Sequence, residues 1–147
     1  MSTTSTAQRT YVGPPFDAAR VHDAMRVGVV TCLPDTSLQD AARMMSGYGI
    51  HCLVVADPAT GRHAESWRVV EALDVARAEA EGKARSVGEI ATGDVVTIDS
   101  DARLPQAARL MAVRHSPHLV AVQPGTDRPV GVLSSSGLAA VLAWGGP

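Results

Sequence analysis

The chain reads Val29-Val30-Thr31, and 66 positions later it reads Val95-Val96-Thr97. The same shift relates five residues downstream of the first stretch to five downstream of the second: Leu38, Ala41, Ala42, Arg43 and Met45 recur as Leu104, Ala107, Ala108, Arg109 and Met111. Chance rarely preserves such a spacing without a gap, so the pattern indicates one structural unit that is duplicated within the chain. Two such units are expected to bury their faces on each other and to bind ligands at the seam between them.

Each copy has the hydrophobic pattern of a β-α-β-β-α unit. β-branched runs at residues 29–32 and 95–98 predict buried strands. After each run, apolar residues recur at i, i+3, i+4 and i+7, which predicts an amphipathic helix. Two further strands and a closing helix are predicted in each copy, at residues 52–56, 67–70 and 73–81 and again at residues 118–122, 130–133 and 138–143. The chain is therefore predicted to have an α/β (α+β) fold built from two repeats.

The length and composition set the expected organisation. With 147 residues and 46% hydrophobic content, the chain suits one compact domain or two small halves that share a core. We expect a flexible N-terminal tail at residues 1–16, a first repeat at 17–82 and a second repeat at 83–147.

The charge and the apolar runs exclude several classes of partner. Lys and Arg number 13 against 15 Asp and Glu, which gives a net charge of −2 and no general attraction to nucleic acid. No apolar stretch reaches the roughly 18 residues of a membrane span, and the N-terminus lacks the apolar run of a signal peptide. Since two cysteines are too few for a disulfide framework, we expect a cytoplasmic protein.

The ordered set of motifs resembles the cystathionine β-synthase (CBS) domain. The resemblance covers residues from about 21 to 143 in both copies and includes Val21-His22-Asp23-Ala24-Met25 and the ending Pro-Val-Gly-Val-Leu-Ser-Ser-Ser-Gly-Leu from Pro129 to Leu138. It implies a disc of two β-α-β-β-α units packed through their sheets, with a cleft on either side of a pseudo-twofold axis. It also implies binding of AMP, ATP or S-adenosylmethionine in those clefts as a regulator rather than as a substrate.

The nucleotide signature of the family, a hydrophobic strand followed by Thr/Ser-x-x-Asp, is split between the copies. The first copy reads Glu71-Ala72-Leu73-Asp74, which keeps the ribose-binding Asp but places a carboxylate where phosphate is expected. The second reads Ser134-Ser135-Ser136-Gly137, which keeps hydroxyls at a helix N-terminus, a favourable place for phosphate, but loses the Asp. A phosphorylated ligand is therefore expected nearer the second copy.

The resemblance and the residue chemistry together give eight candidate ligand-binding residues. They are Thr97, His118, Ser134, Ser135 and Ser136 for the second cleft, with Thr31, His51 and Asp74 as further candidates. Each has a structural alternative, namely strand propensity for the threonines, a strand-edge position for the histidines and helix capping for the serines and acids.

Catalytic and metal-binding patterns are absent from the sequence. There is no Gly-x-Ser-x-Gly elbow and no acid partner for a serine nucleophile, so we expect no enzymatic activity. Cys32, Cys52 and His51 fit no compact zinc pattern, so no metal site is predicted, although paired strand ends could bring the two thiols together.

The predicted function is that of a stand-alone regulatory module that binds an adenosine-type nucleotide and acts on an effector protein. We expect a homodimer, because Met44, Tyr48, Leu110 and Trp144 are apolar residues that need cover. The alternative is a degenerate pair that has lost its ligand and serves as a dimerisation or protein-interaction scaffold, which the split signature favours.

Overall fold

The computed structural model describes residues 11–58, 66–91 and 93–145. These residues form five α-helices, α1 to α5 in chain order: Val21–Ala24, Leu38–Tyr48, Ala72–Glu81, Leu104–Arg114 and Ser135–Trp144. They also form eight strands, β1 to β8 in chain order: Arg26–Val27, Thr31–Cys32, Cys52–Val55, Arg68–Glu71, Gly93–Asp94, Thr97–Asp99, His118–Val122 and Pro129–Ser134. The predicted α/β fold with two repeats is confirmed.

The strands form two four-stranded sheets that exchange an edge strand. One sheet has the order β2-β3-β4-β5, and the other has the order β1-β8-β7-β6. The strand β1 precedes the β-α-β-β-α unit of the first repeat, yet it pairs antiparallel with β8, with Arg26 opposite Val132. The strand β5 precedes the β-α-β-β-α unit of the second repeat, yet it pairs with β4, with Gly93 opposite Val69. The segment in front of each β-α-β-β-α unit therefore completes the sheet of the other repeat.

The central elements lie where the hydrophobic pattern predicted them, with small differences at the ends. Both first strands begin two residues later than predicted, at Thr31 and Thr97. The valines before them, Val29 and Val95, instead pack at the contact between the sheets. The elements α1, β1 and β5 were not predicted, because two to four residues are too short to display a period.

Local chemistry explains the bounds of the first long helix. Its cap, Ser37, accepts a hydrogen bond from the backbone N–H of Asp40 at 3.0 Å. The helix ends at Gly49, whose φ of 65° lies in the left-handed region that glycine adopts at little cost.

Packing divides the apolar residues into two helix–sheet cores and one contact between the sheets. Leu53 and Leu119, which the 66-residue shift relates, are fully buried in the two separate helix–sheet cores. The sheet-to-sheet contact is formed by Val54, Trp67 and Val120. Because Val54 and Val120 are also related by that shift, the sheets meet around the pseudo-twofold axis.

Part of the predicted N-terminal tail falls within the described residues. Tyr11 and Phe16 pack against the second helix–sheet core, while residues 1–10 lie outside the described ranges. Residues 59–61 of the turn after the second strand also lie outside them. Within the described ranges, none of the helices combines the length and the apolar character that crossing a bilayer requires.

Candidate functional site

A cavity of about 650 Å³ opens between the two repeats, where β1, β3, β7 and β8 meet the N-terminus of α5. Its volume lies in the range of about 300–1,000 Å³ that small-molecule sites usually have. The apolar part of its wall comes from both repeats and is formed by Met25, Val30, Ile50, Val54, Val132 and Ala140. The cavity is therefore a seam site of the kind that the duplicated sequence predicted.

The structure brings together four of the eight predicted ligand-binding residues. The four that line this cavity are His51, His118, Ser134 and Ser136. Thr31 and Thr97 line two separate depressions, one beside Trp67 and the other beside Gln106. Ser135 is exposed at the start of α5, and Asp74 lies in the first turn of α3.

The three serines at the start of α5 are engaged, and Ser134 caps the helix. The hydroxyl of Ser134 accepts a hydrogen bond from the N–H of Gly137 at 3.1 Å and lies 2.8 Å from the hydroxyl of Ser136. The N–H of Ser135 donates to the carbonyl of Pro117 at 2.8 Å. A phosphate at this helix end would therefore have to join or replace the contact between Ser134 and Ser136.

The acids at the start of α3 are also engaged. The carboxylate of Asp74 accepts a hydrogen bond from the N–H of Glu71 at 2.9 Å. The carboxylate of Glu71 reaches across to the other repeat, where its two oxygens lie 3.0 and 3.1 Å from Nδ1 of His118. The contact is partly shielded from water, because the side chain of His118 is 11% exposed and that of Glu71 is 28% exposed. Glu71 therefore links the repeats, a role that its sequence position did not reveal.

The two cysteines do not meet. Both are free and buried. In the parallel pairing of β2 with β3, Cys32 lies opposite Val55 and not Cys52. This register separates the two cysteines by three residues along the sheet, about 10 Å, whereas a disulfide requires Cα atoms within about 7 Å. The sequence left open a contact between the two thiols at paired strand ends, and the register of β2 with β3 rules it out.

Sequence reasoning missed the residues that α1 and β1 contribute to the cavity. Asp23 and Arg26 both lie on its wall. The guanidinium of Arg26 donates to the carbonyl oxygens of Tyr48 at 2.7 Å and Gly49 at 3.3 Å, which ties β1 to the end of α2. Asp23 belongs to a motif that carries the family resemblance, but its place in the cavity depends on the exchange of β1, for which the sequence carries no signal.

Comparisons with known proteins agree on one family. The family model described as the CBS domain matches residues 21–62 and 87–143. The comparison with curated proteins gave no match.

Solved structures with this fold are similar over most of their length. The CBS domain pair of protein MJ0100, in complex with 5'-methylthioadenosine and S-adenosyl-L-methionine, has a TM-score of 0.72 and 22% identity, with 85% of this chain and 96% of that chain covered. An uncharacterized conserved protein from Pyrococcus horikoshii has a TM-score of 0.69 and 22% identity, with coverage of 84% and 91%. CBSX2 in complex with AMP has a TM-score of 0.63 and 20% identity, with coverage of 82% and 93%.

Proposed function

Because this chain belongs to the CBS-domain family, we propose that it is a regulatory module that binds an adenosine-containing nucleotide in the cavity between its repeats. The family predicted from the repeated sequence is thereby confirmed. The observation that carries the proposal is the cavity itself, which joins an apolar wall from both repeats to the polar N-terminus of α5. The proposal assigns no catalytic role to any residue, and a cytoplasmic location stays a prediction.

The wall chemistry supports an adenosine ligand over a purely anionic one. The apolar side chains offer a surface for a flat heterocycle, and His51 and His118 add nitrogen atoms that can form hydrogen bonds with its edge. At the other end, the serine hydroxyls and the N-terminus of α5 favour a phosphate or another electron-rich group. AMP, ATP and S-adenosylmethionine all combine such parts, and the complexes of MJ0100 and CBSX2 contain ligands of this class.

The alternative is a ligand-free scaffold, and specific contacts favour it. The hydroxyls of Ser134 and Ser136 already contact each other, and Gly137 stands where the family signature has a ribose-binding Asp. In the first repeat, Asp74 accepts a backbone hydrogen bond from Glu71. Under this alternative the pair serves dimerisation or protein interaction, and adenosine compounds leave its stability unchanged.

We predict that Gly137→Asp tightens the binding of AMP by about 1–2 kcal/mol, roughly tenfold, the scale of a hydrogen bond to a charged group. A Cβ atom at this position would lie 3.4 Å from the carbonyl oxygen of Ala24 and 3.5 Å from the hydroxyl of Ser134, which are ordinary contact distances. The new carboxylate can therefore be accommodated and can accept hydrogen bonds from the ribose hydroxyls. Calorimetric titration of AMP into both proteins measures the change.

Two further variants make this test decisive. Ser135→Asp adds the same charge at an exposed position outside the cavity, and it should not tighten AMP binding. Glu71→Thr restores a hydroxyl in the first repeat. If Glu71→Thr binds AMP while wild type and Gly137→Asp do not, the cleft has been assigned to the wrong repeat. If none of these proteins binds, the scaffold function replaces nucleotide binding.

We also propose that the module is a homodimer that acts on an effector protein. Tyr48 and Trp144 are more than half exposed, and Met44 and Leu110 are only partly covered. Burial of such residues against a second copy would stabilise a dimer. Light scattering at micromolar concentration should give the mass of a dimer for the wild type and a lower mass for Trp144→Ser. A wild-type mass equal to that of one chain would contradict the proposal.

A further inference from the structure

Three side chains with different ligating atoms converge at the seam between the repeats. The thiol of Cys52, the carboxylate of Glu71 and the imidazole of His118 place their ligating atoms within 4.8 Å of one another. Cys52 is buried, the side chain of His118 is nearly so, and that of Glu71 is partly exposed. No other group of three His, Cys, Asp or Glu residues in the described part of the chain has this geometry.

The duplication explains why these positions meet. Cys52 and His118 are the first residues of β3 and β7, and the 66-residue shift relates them. Cys52 pairs with Glu71, and His118 pairs with Ser134, which occupies the same place in the second repeat that Glu71 occupies in the first. The pseudo-twofold relation thus brings the thiol, the carboxylate and the imidazole together, with a serine at the fourth equivalent position.

We propose that Cys52, Glu71 and His118 bind a single divalent transition-metal ion, Zn²⁺ by the chemistry of the ligand set. Zn²⁺ accepts sulfur, imidazole nitrogen and carboxylate oxygen together, whereas Mg²⁺ and Ca²⁺ require oxygen ligands. In a tetrahedral zinc site the ligating atoms lie about 3.3–3.8 Å apart, so the cluster needs to contract by roughly 1 Å at its widest. Nδ1 of His118 and the oxygens of Glu71 are already closer than that.

The electrostatics of the cluster imply that metal binding at neutral pH must displace a proton from Cys52. Burial, and secondly the charge of Glu71, raises the pKa of the Cys52 thiol to about 12, so the metal-free thiol is protonated at neutral pH. A divalent ion supplies the positive charge that a thiolate at this place needs, and the proton is released to solvent. Glu71 contributes a second negative charge at the same point.

The site would have an open coordination position. Three protein ligands leave the fourth position of a tetrahedral ion to water or to a bound molecule. Cys52 and His118 both line the cavity, so this position faces the space that the nucleotide is proposed to occupy. Metal binding does not depend on the proposed nucleotide, and each is tested without the other.

Co²⁺ is the first probe, because its absorption spectrum shows whether a thiolate binds it. We expect the reduced, metal-free full chain to bind a single Co²⁺ with a thiolate-to-cobalt charge-transfer band in the near ultraviolet, and Zn²⁺ to displace the cobalt.

Three variants test the ligands. Cys52→Ser should abolish the band and weaken Zn²⁺ binding by about 100-fold or more, beyond the effect of losing an outer-shell partner. Glu71→Gln should keep the band and weaken Zn²⁺ binding. Cys32→Ser is the matched control, since Cys32 is equally buried but lies outside the cluster, and it should change neither result.

Other outcomes would overturn the proposal. They are the absence of saturable Co²⁺ and Zn²⁺ binding at micromolar concentration, a band that Cys32→Ser removes, and equal Zn²⁺ affinity in wild type and Cys52→Ser. Circular dichroism checks that the variants are folded. If Cys52→Ser does not fold, Glu71→Gln provides the test, since Glu71 is partly exposed. An unchanged Zn²⁺ affinity in Glu71→Gln refutes the site.

Discussion

Leu119→Ala should lower the free energy of unfolding by about 3–4 kcal/mol, within the range of 2–5 kcal/mol found when a buried leucine is truncated. Leu119 is the second residue of β7, a central strand of its sheet, and its side chain is fully buried. It belongs to the same core as Leu104, Leu133 and Val141, all of which are also fully buried. Truncation would leave a cavity that these neighbours can fill only in part.

Urea denaturation followed by circular dichroism measures this loss, and a second leucine provides the control. Leu142 lies on α5 and is 64% exposed, so Leu142→Ala should change the free energy of unfolding by no more than about 0.5 kcal/mol. Side chains alternate between the two faces of a strand, so Leu119 faces away from its neighbour His118 and AMP binding should survive in the folded fraction. Equal losses for the two variants would contradict the placement of Leu119 in the core.

Gly131→Ala should cost about 2–3 kcal/mol, although it adds only a methyl group, because there is no room for one. Gly131 lies on β8 opposite Val27 of β1. A Cβ atom at this position would lie 2.5 Å from the carbonyl oxygen of Arg26 and 2.6 Å from the sulfur of Met25. The methionine side chain can move aside, but the backbone carbonyl cannot do so unless β1 moves away from β8.

The consequence of that movement should be local and measurable. Amide hydrogen exchange should rise in residues 21–27 of the variant, and ligand binding should weaken because Met25 and Arg26 line the cavity. Gly93→Ala is the matched control on the other exchanged strand, where a Cβ atom would lie 3.9 Å from the carbonyl oxygen of Val69. We expect it to change stability by less than about 0.5 kcal/mol. Unaltered exchange in Gly131→Ala would show that β1 is not held by this contact.

The helix α2 and the strand β7 could be predicted from the sequence almost to the residue. The pattern through Leu38 and Met45 predicts a helix, and α2 begins at Leu38 and ends at Tyr48, three residues after Met45. Residues 118–122 were predicted as a strand and form β7 with the same bounds. In both cases the hydrophobic signal is local, because the spacing of neighbouring apolar residues predicts whether a side chain lies on the inner or the outer face.

Prediction of the candidate site was less complete. His51, His118, Ser134 and Ser136 line the cavity, but Thr31 and Thr97 lie elsewhere. The contact between Glu71 and His118 joins residues 47 positions apart, and no local pattern relates them. The 66-residue shift was the available signal for this contact. It relates Cys52 to His118 and could have placed both residues near the pseudo-twofold axis.

The sequence by itself determined the duplicated unit, the faces of its helices and the positions of its central strands along the chain, because these follow from local hydrophobic periods and from their repetition. Only the tertiary structure decided which sheet receives β1 and β5, since a strand of two residues has no period and gains its hydrogen bonds from whichever edge it reaches. That exchange places Arg26 on the cavity wall. The packing of the two sheets likewise decided that a thiol, a carboxylate and an imidazole meet at the seam, because contacts between repeats depend on the distance between folded surfaces and not on distance along the chain.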